Sequence, residues 1–116
     1  MPRPPKSLKR HGMSLFRFIG QNFSLEQHHL ALLTQACQAL DRAETCRLRI
    51  EREGMVHLDR FGQPKAHVLL TVERDARAQF FSFMTQLGFD DETIARGAAK
   101  AAAPGLRMVP GGGKGS

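Results

Sequence analysis

The chain has 116 residues, with 17 Lys or Arg against 11 Asp or Glu and a formal charge of +6. It is long enough for one domain only, and a body of this size lies near the limit at which a single core is stable. Its apolar runs are too short to span a membrane, and its basic start lacks the apolar stretch of a secretory signal, so the cytoplasm is the expected compartment. The charge is unevenly spread: residues 1–20 carry +5 without an acid, residues 96–116 carry +4 without an acid, and residues 21–95 sum to −3. An acidic body with two cationic ends differs from a uniformly basic protein.

Residues 1–20 read as a flexible basic arm. The opening MPRPPKSLKRHG mixes prolines with Arg3, Lys6, Lys9 and Arg10, and Arg17 follows. Such a segment buries too little apolar surface to offset its ordering entropy. Leu15, Phe16, Phe18 and Ile19 form a short apolar patch, ended by Gly20, that docks on the body or on a neighbour.

Residues 21–103 read as a helical core and oligomerisation domain. Ser24, with Gln27 three positions on, has the pattern of a capping box. Leu25, Leu32, Leu33, Leu40 and Ile50 then recur at helical spacing with no Gly or Pro before Gly54, which predicts a helix over 25–53. Its length, about 40–45 Å, exceeds the roughly 30 Å breadth of a compact domain of this size. Either it kinks, or a second subunit covers its far half. Val56 and Leu58 alternate with His57 and Asp59 as in a short extended stretch, and Asp59 to Pro64 has turn chemistry. The sequence leaves open whether 54–65 is a hairpin or an irregular loop.

A second helix is predicted over 68–87, with Leu69, Val72, Phe80, Phe83 and Leu87 on its apolar face and Gly88 as its stop. The two stripes predict an antiparallel helical hairpin. Asp90 or Asp91 caps a short third helix that ends at Pro104, and residues 104–116 read as a disordered tail. The fold expected is therefore mainly α, a long helix in an antiparallel helical hairpin with a short third helix and flexible basic tails.

Catalytic patterns are scarce. GGGKGS lacks the strand and helix that a phosphate-binding loop requires. His28 and His29 diverge on a helix and are poorly placed for one metal. Asp90, Asp91 and Glu92 suggest a metal nuclease only weakly, because consecutive carboxylates point apart and suit an acidic first helical turn. Cys37 and Cys46 fall near opposite helix faces and read as unpaired thiols. No enzyme activity, cofactor or metal is expected. Charge and shape remain: Arg3, Lys6, Lys9, Arg10 and Arg17 on one side, and Arg96, Lys100, Arg107 and Lys114 on the other, are suited to phosphate contacts through counterion release. Arg42, Arg47, Arg49 and Arg52 add cations to the long helix, tempered by Asp41, Glu44, Glu51 and Glu53.

The stretch 25–89 resembles the small terminase subunits of tailed phages. The features are a first helix with Leu25, the His28-His29 pair, Leu32-Leu33, Ala36-Cys37 and Ala39-Leu40-Asp41-Arg42-Ala43, then Ile50 and Gly54. Gly62, Pro64, Lys65 and His67 follow, then Glu73, Ala76, Arg77 and Phe80, and last Leu87-Gly88-Phe89. Val68 stands where the family commonly has proline, and the tryptophan often seen in its first helical region is missing. The resemblance implies a non-enzymatic ring of subunits in the host bacterium's cytoplasm. Its partners would be double-stranded viral DNA and the large terminase subunit that carries the motor and nuclease. A competing reading is a small helical adaptor that binds a protein partner through Phe80, Phe81, Phe83 and Met84.

Overall fold

The computed structural model describes residues 3–102. Helix α1 (Arg10–Asn22) precedes the long α2 (Gln27–Glu53), a hairpin of β1 (Val56–Leu58) and β2 (Pro64–Ala66), then α3 (Leu69–Gln86) and α4 (Asp91–Ala102). The fold is mainly helical, as expected.

The arm is the main correction. From Leu8 onward the segment is folded: Leu8, Gly12, Leu15, Phe16 and Ile19 are buried on one side of α1. Burying side chains of this size is worth about 1.5–3 kcal/mol each, which outweighs the proline content and charge that argued for mobility. Gly12 lets α1 press against α2, because a Cβ there would meet the Cys37 carbonyl oxygen at 2.7 Å and the Asp41 carboxylate. Asp41 itself serves as the helix cap. Its two oxygens accept the Lys9 and Gly12 backbone N–H groups, each at 2.7 Å. An anion thus sits on amides that lack intrahelical partners, at the positive end of the helix.

Helix α2 starts two residues later than expected. Glu26, rather than Ser24, takes the N-cap position, and its backbone N–H donates to His29 Nδ1 at 3.1 Å. The helix ends where Gly54 adopts φ +91° and donates to the Ile50 carbonyl. Residues 54–67 form a hairpin, with Val56 opposite Ala66, His57 opposite Lys65 and Leu58 opposite Pro64. Asp59 Oδ1 accepts the Phe61 and Gln63 N–H groups and holds the turn. Helix α3 returns antiparallel along α2, since contacts run from Glu53–His67 through Glu44–Arg77 to Arg42–Gln79. Gly88 at φ +95° ends it, and Asp90 caps α4 through the Thr93 N–H at 2.8 Å.

The core gathers at one end, where α1, the first half of α2, the last turns of α3 and α4 meet around Leu15, Phe16, Leu33, Leu40, Met84 and Ile94. Of the residues expected in core or subunit contacts, Leu33, Leu40, Ile50 and Phe80 are buried, whereas Leu25, Leu32, Leu69, Phe83 and Leu87 are half-buried. Val72 remains exposed, because the buried stripe of α3 runs through Ala76, Phe80 and Met84 and leaves Val72 about a quarter turn to one side. Past Glu44, which still meets His11 of α1, α2 runs on beside α3 to the hairpin.

Candidate nucleic-acid interface

The cations divide into two groups, and helical spacing explains the division. Arg47 pairs with Glu44 at 3.0 Å and Glu51 at 2.8 Å, Arg49 with Glu53 at 2.8 Å, Arg77 with Glu73 at 3.0 Å, and Arg96 with Glu92 at 3.1 Å. Each has a glutamate three or four positions away on its own helix. Arg10, Arg17, Arg42, Arg52 and Lys100 have no acid at those spacings. Among the described residues, no carboxylate lies within 4.0 Å of the side-chain charges of Arg3, Lys6, Lys9, Arg10 or Arg17. Asp41 does not temper Arg42, because its carboxylate is occupied by α1. Arg42 donates instead to the neutral Gln79 at 3.3 Å.

Folding α1 brings part of the expected arm against α2. Arg10 and Arg17 stand two turns apart on the side of α1 opposite Leu15 and Ile19, about 10 Å from one another along the axis. Lys9 and Asp41 border two adjoining shallow hollows: one is shared with Arg42, Gln38 and Thr45, the other with Arg10, Arg47 and Leu48. Lys9, Arg10 and Arg42 thus gather around the Asp41 carboxylate, three cations against one acid. Arg42 was not among the residues expected to contact DNA, although its lack of an acid at helical spacing was readable. Lys100 lies in the last turn of α4 and lines neither hollow. Arg107 and Lys114 lie outside the described residues.

Glu44 secures this surface from beneath. It is buried, accepts from Arg77 at 2.7 Å and Arg47 at 3.0 Å, and lies 3.6 Å from His11 of α1, so one carboxylate ties three helices together. Burial raises its pKa, but the hydrogen bonds from Arg77 and Arg47 outweigh burial, and the net direction is downward.

Other candidate chemistry resolves into structure. Asp90 caps α4 and Glu92 pairs with Arg96, so the acidic run serves a helix start. Glu53, His57 and His67 bring ligand atoms within 4.8 Å of one another. However, His67 Nδ1 accepts the Leu69 N–H at 3.0 Å, so the neutral ring carries its proton on Nε2 and donates it to Glu53 at 2.8 Å. A metal would have to displace that proton, and the trio fits a clasp between α2 and α3 better than a metal centre. Hydrogen bonds from Arg49 and then His67 hold the Glu53 carboxyl down at about 2. Cys37 and Cys46 are buried free thiols, and burial, then the Asp41 charge, pushes Cys37 upward. The Phe/Met face expected for an adaptor is largely internal: Phe80 and Met84 belong to the core, and only Phe81 is exposed. Among the described residues, no helix is long and apolar enough to cross a membrane.

No curated protein and no solved structure matches the chain significantly. A family model does, and it begins inside α1 and runs to the end of α4. Residues 15–103 match the family described as phage terminase, small subunit, and the chain belongs to that family.

Proposed function

We propose that this chain is the DNA-binding, regulatory small subunit of a phage packaging motor. It acts without catalysis in the cytoplasm of the host bacterium and recruits the large subunit that carries the ATPase and nuclease. One observation carries the DNA assignment. At the start of the chain Lys6, Lys9, Arg10 and Arg17 are all without an acidic partner among the described residues, beside Arg42, while most arginines of the body are paired with carboxylates; Arg52, Arg60, Lys65 and Lys100 also lack one but line neither hollow. Unpaired charges on a rigid helix can follow a phosphate backbone with little loss of entropy. Lys6, Lys9 and Arg10 also precede the region matched by the family, so this surface is argued from the chain's own residues.

Ring assembly belongs to the same reading. The uncovered last turns of α2 support it, and light scattering at micromolar concentration tests it, with a strict monomer as the result that ends it. For DNA, the test replaces Lys9, Arg10, Arg17 and Arg42 by alanine and measures duplex affinity against salt. Each lost phosphate contact should lower the slope of log affinity against log salt by about 0.9. An unchanged affinity and slope would overturn the assignment. Deleting residues 1–12 is a poorer test, since it removes Leu8 and Gly12 and unfolds the docked start of α1.

A further inference from the structure

The hairpin is built with its polarity reversed. Alternation along the strands places Val56, Leu58, Pro64 and Ala66 on one face, and His57 and Lys65 on the other. The His57 ring lies 4.9 Å from the buried His67 and beside Glu53, so the polar face turns towards the body. The apolar face is left in solvent. An isolated two-stranded sheet is marginally stable in water, and a monomer gains nothing by presenting its apolar face outward. Val56, Leu58, Phe61 and Val68 are each 62–77% exposed. Together they leave on the order of 500 Å² of apolar surface, towards the upper end for a typical monomer and over half of the roughly 800 Å² that each partner contributes to a standard interface.

We infer that this face docks on a second copy of the chain, the hairpin of one subunit seating against the α2–α3 hollow of the next. The inference rests on the ring reading and names its contact surface. Two observations favour a copy over another partner. First, the same chain carries both halves of the contact: next to the hairpin face lies a hollow of about 440 Å³ lined by Ile50, Gly54, Met55 and Leu70 together with the charged Arg47, Glu51 and Glu73. Seating the hairpin face of one subunit in the hollow of the next is a head-to-tail contact, which closes into a ring when the rotation allows. Second, this end tolerates its own kind. Residues 47–73 hold five basic and four acidic side chains, close to balance; Arg47–Glu51 and Arg49–Glu53 are paired within α2, and Arg52, Arg60 and Lys65 make no ion pair among the described residues. The α1 end, with its unpaired cations, would repel a copy and is unsuited to the contact.

The experiment compares the full-length chain with a Val56→Asp, Leu58→Asp variant by light scattering at micromolar concentration. Circular dichroism confirms that both are helical. The expected result is an oligomer for the parent chain and a loss of mass to the monomer for the variant. In a second arm, a Leu58→Cys chain is mixed with a Met55→Cys chain under mild oxidation, the two native thiols being buried. Disulfides joining the two different variants are expected, with little linking of either variant to itself. An oligomer whose mass is unchanged in the aspartate variant, without mixed disulfides, overturns the inference and leaves the ring reading standing. A monomeric parent chain overturns both. A parent monomer that uses this face to bind another protein overturns the assignment to a second copy.

Discussion

Asp41 and Gly12 act as a pair. The carboxylate caps a helix that belongs to a different part of the chain, and the absent side chain allows the approach. Asp41→Ala leaves the Lys9 and Gly12 N–H groups without acceptors, one of them buried. It should cost about 2–4 kcal/mol in urea denaturation, the sum of a lost cap and an unsatisfied buried donor. Gly12→Ala is expected to destabilise by about 1–3 kcal/mol although alanine is the better helix former, because the Cys37 carbonyl is backbone and cannot turn aside. Glu44 predicts a pH effect. Its folded pKa is lowered from 4.5, so its stabilising contribution is fully present above about 4.5 and is lost as pH falls through the folded value. Glu53 acts in the same direction between 4.5 and about 2, weakened by its exposure. The Glu44→Gln variant should unfold at lower urea than the parent chain at neutral pH, and the difference should shrink as pH falls below about 4.5.

At the scale of elements, the helices that were readable are those whose period is unbroken and whose ends carry glycine. The stops at Gly54 and Gly88 and the Asp90 cap were all legible, because these end-signals are local physics. Helix α1 was not. Its apolar positions, Leu8, Leu15, Phe16 and Ile19, keep helical spacing, but Gly12 and Gly20 lower the local helix propensity and the N-cap is supplied from 32 residues away. Docking therefore decides whether α1 forms. Leu15→Ala should cost about 2–5 kcal/mol and release the helix, seen as faster tryptic cleavage at Arg10 and Arg17. It should also weaken DNA binding without removing a charge, which separates the rigid cationic face from simple attraction by a basic tail.

For the whole molecule, the two ends call on different forces. The α1 end would hold phosphate through screened charge, and the hairpin end would hold its neighbour through apolar contact. Raising salt from about 50 to about 500 mM should release DNA by several orders of magnitude while leaving the assembly intact or tightened. Anisotropy and light scattering on the same samples check this. Loss of both together would show that DNA and assembly depend on one surface.

The sequence by itself determined the local matters: three of the four helices, the stops at Gly54 and Gly88 and the cap at Asp90, the turn at 59–63, the division of charge between body and ends, and which arginines find a glutamate one helical turn away. Each depends on residues within about four positions of one another, where backbone geometry alone sets who meets whom. The tertiary structure decided the rest. The +5 at the chain's start is largely a docked helical surface rather than a free arm, because Asp41 and the apolar face of α2 supply the cap and the burial that the segment lacks on its own. It also turned an undecided stretch at 54–65 into a hairpin that lays His57 over His67 and leaves its apolar face in solvent, an arrangement set by the Glu53–His67 clasp between positions far apart in the helical pattern.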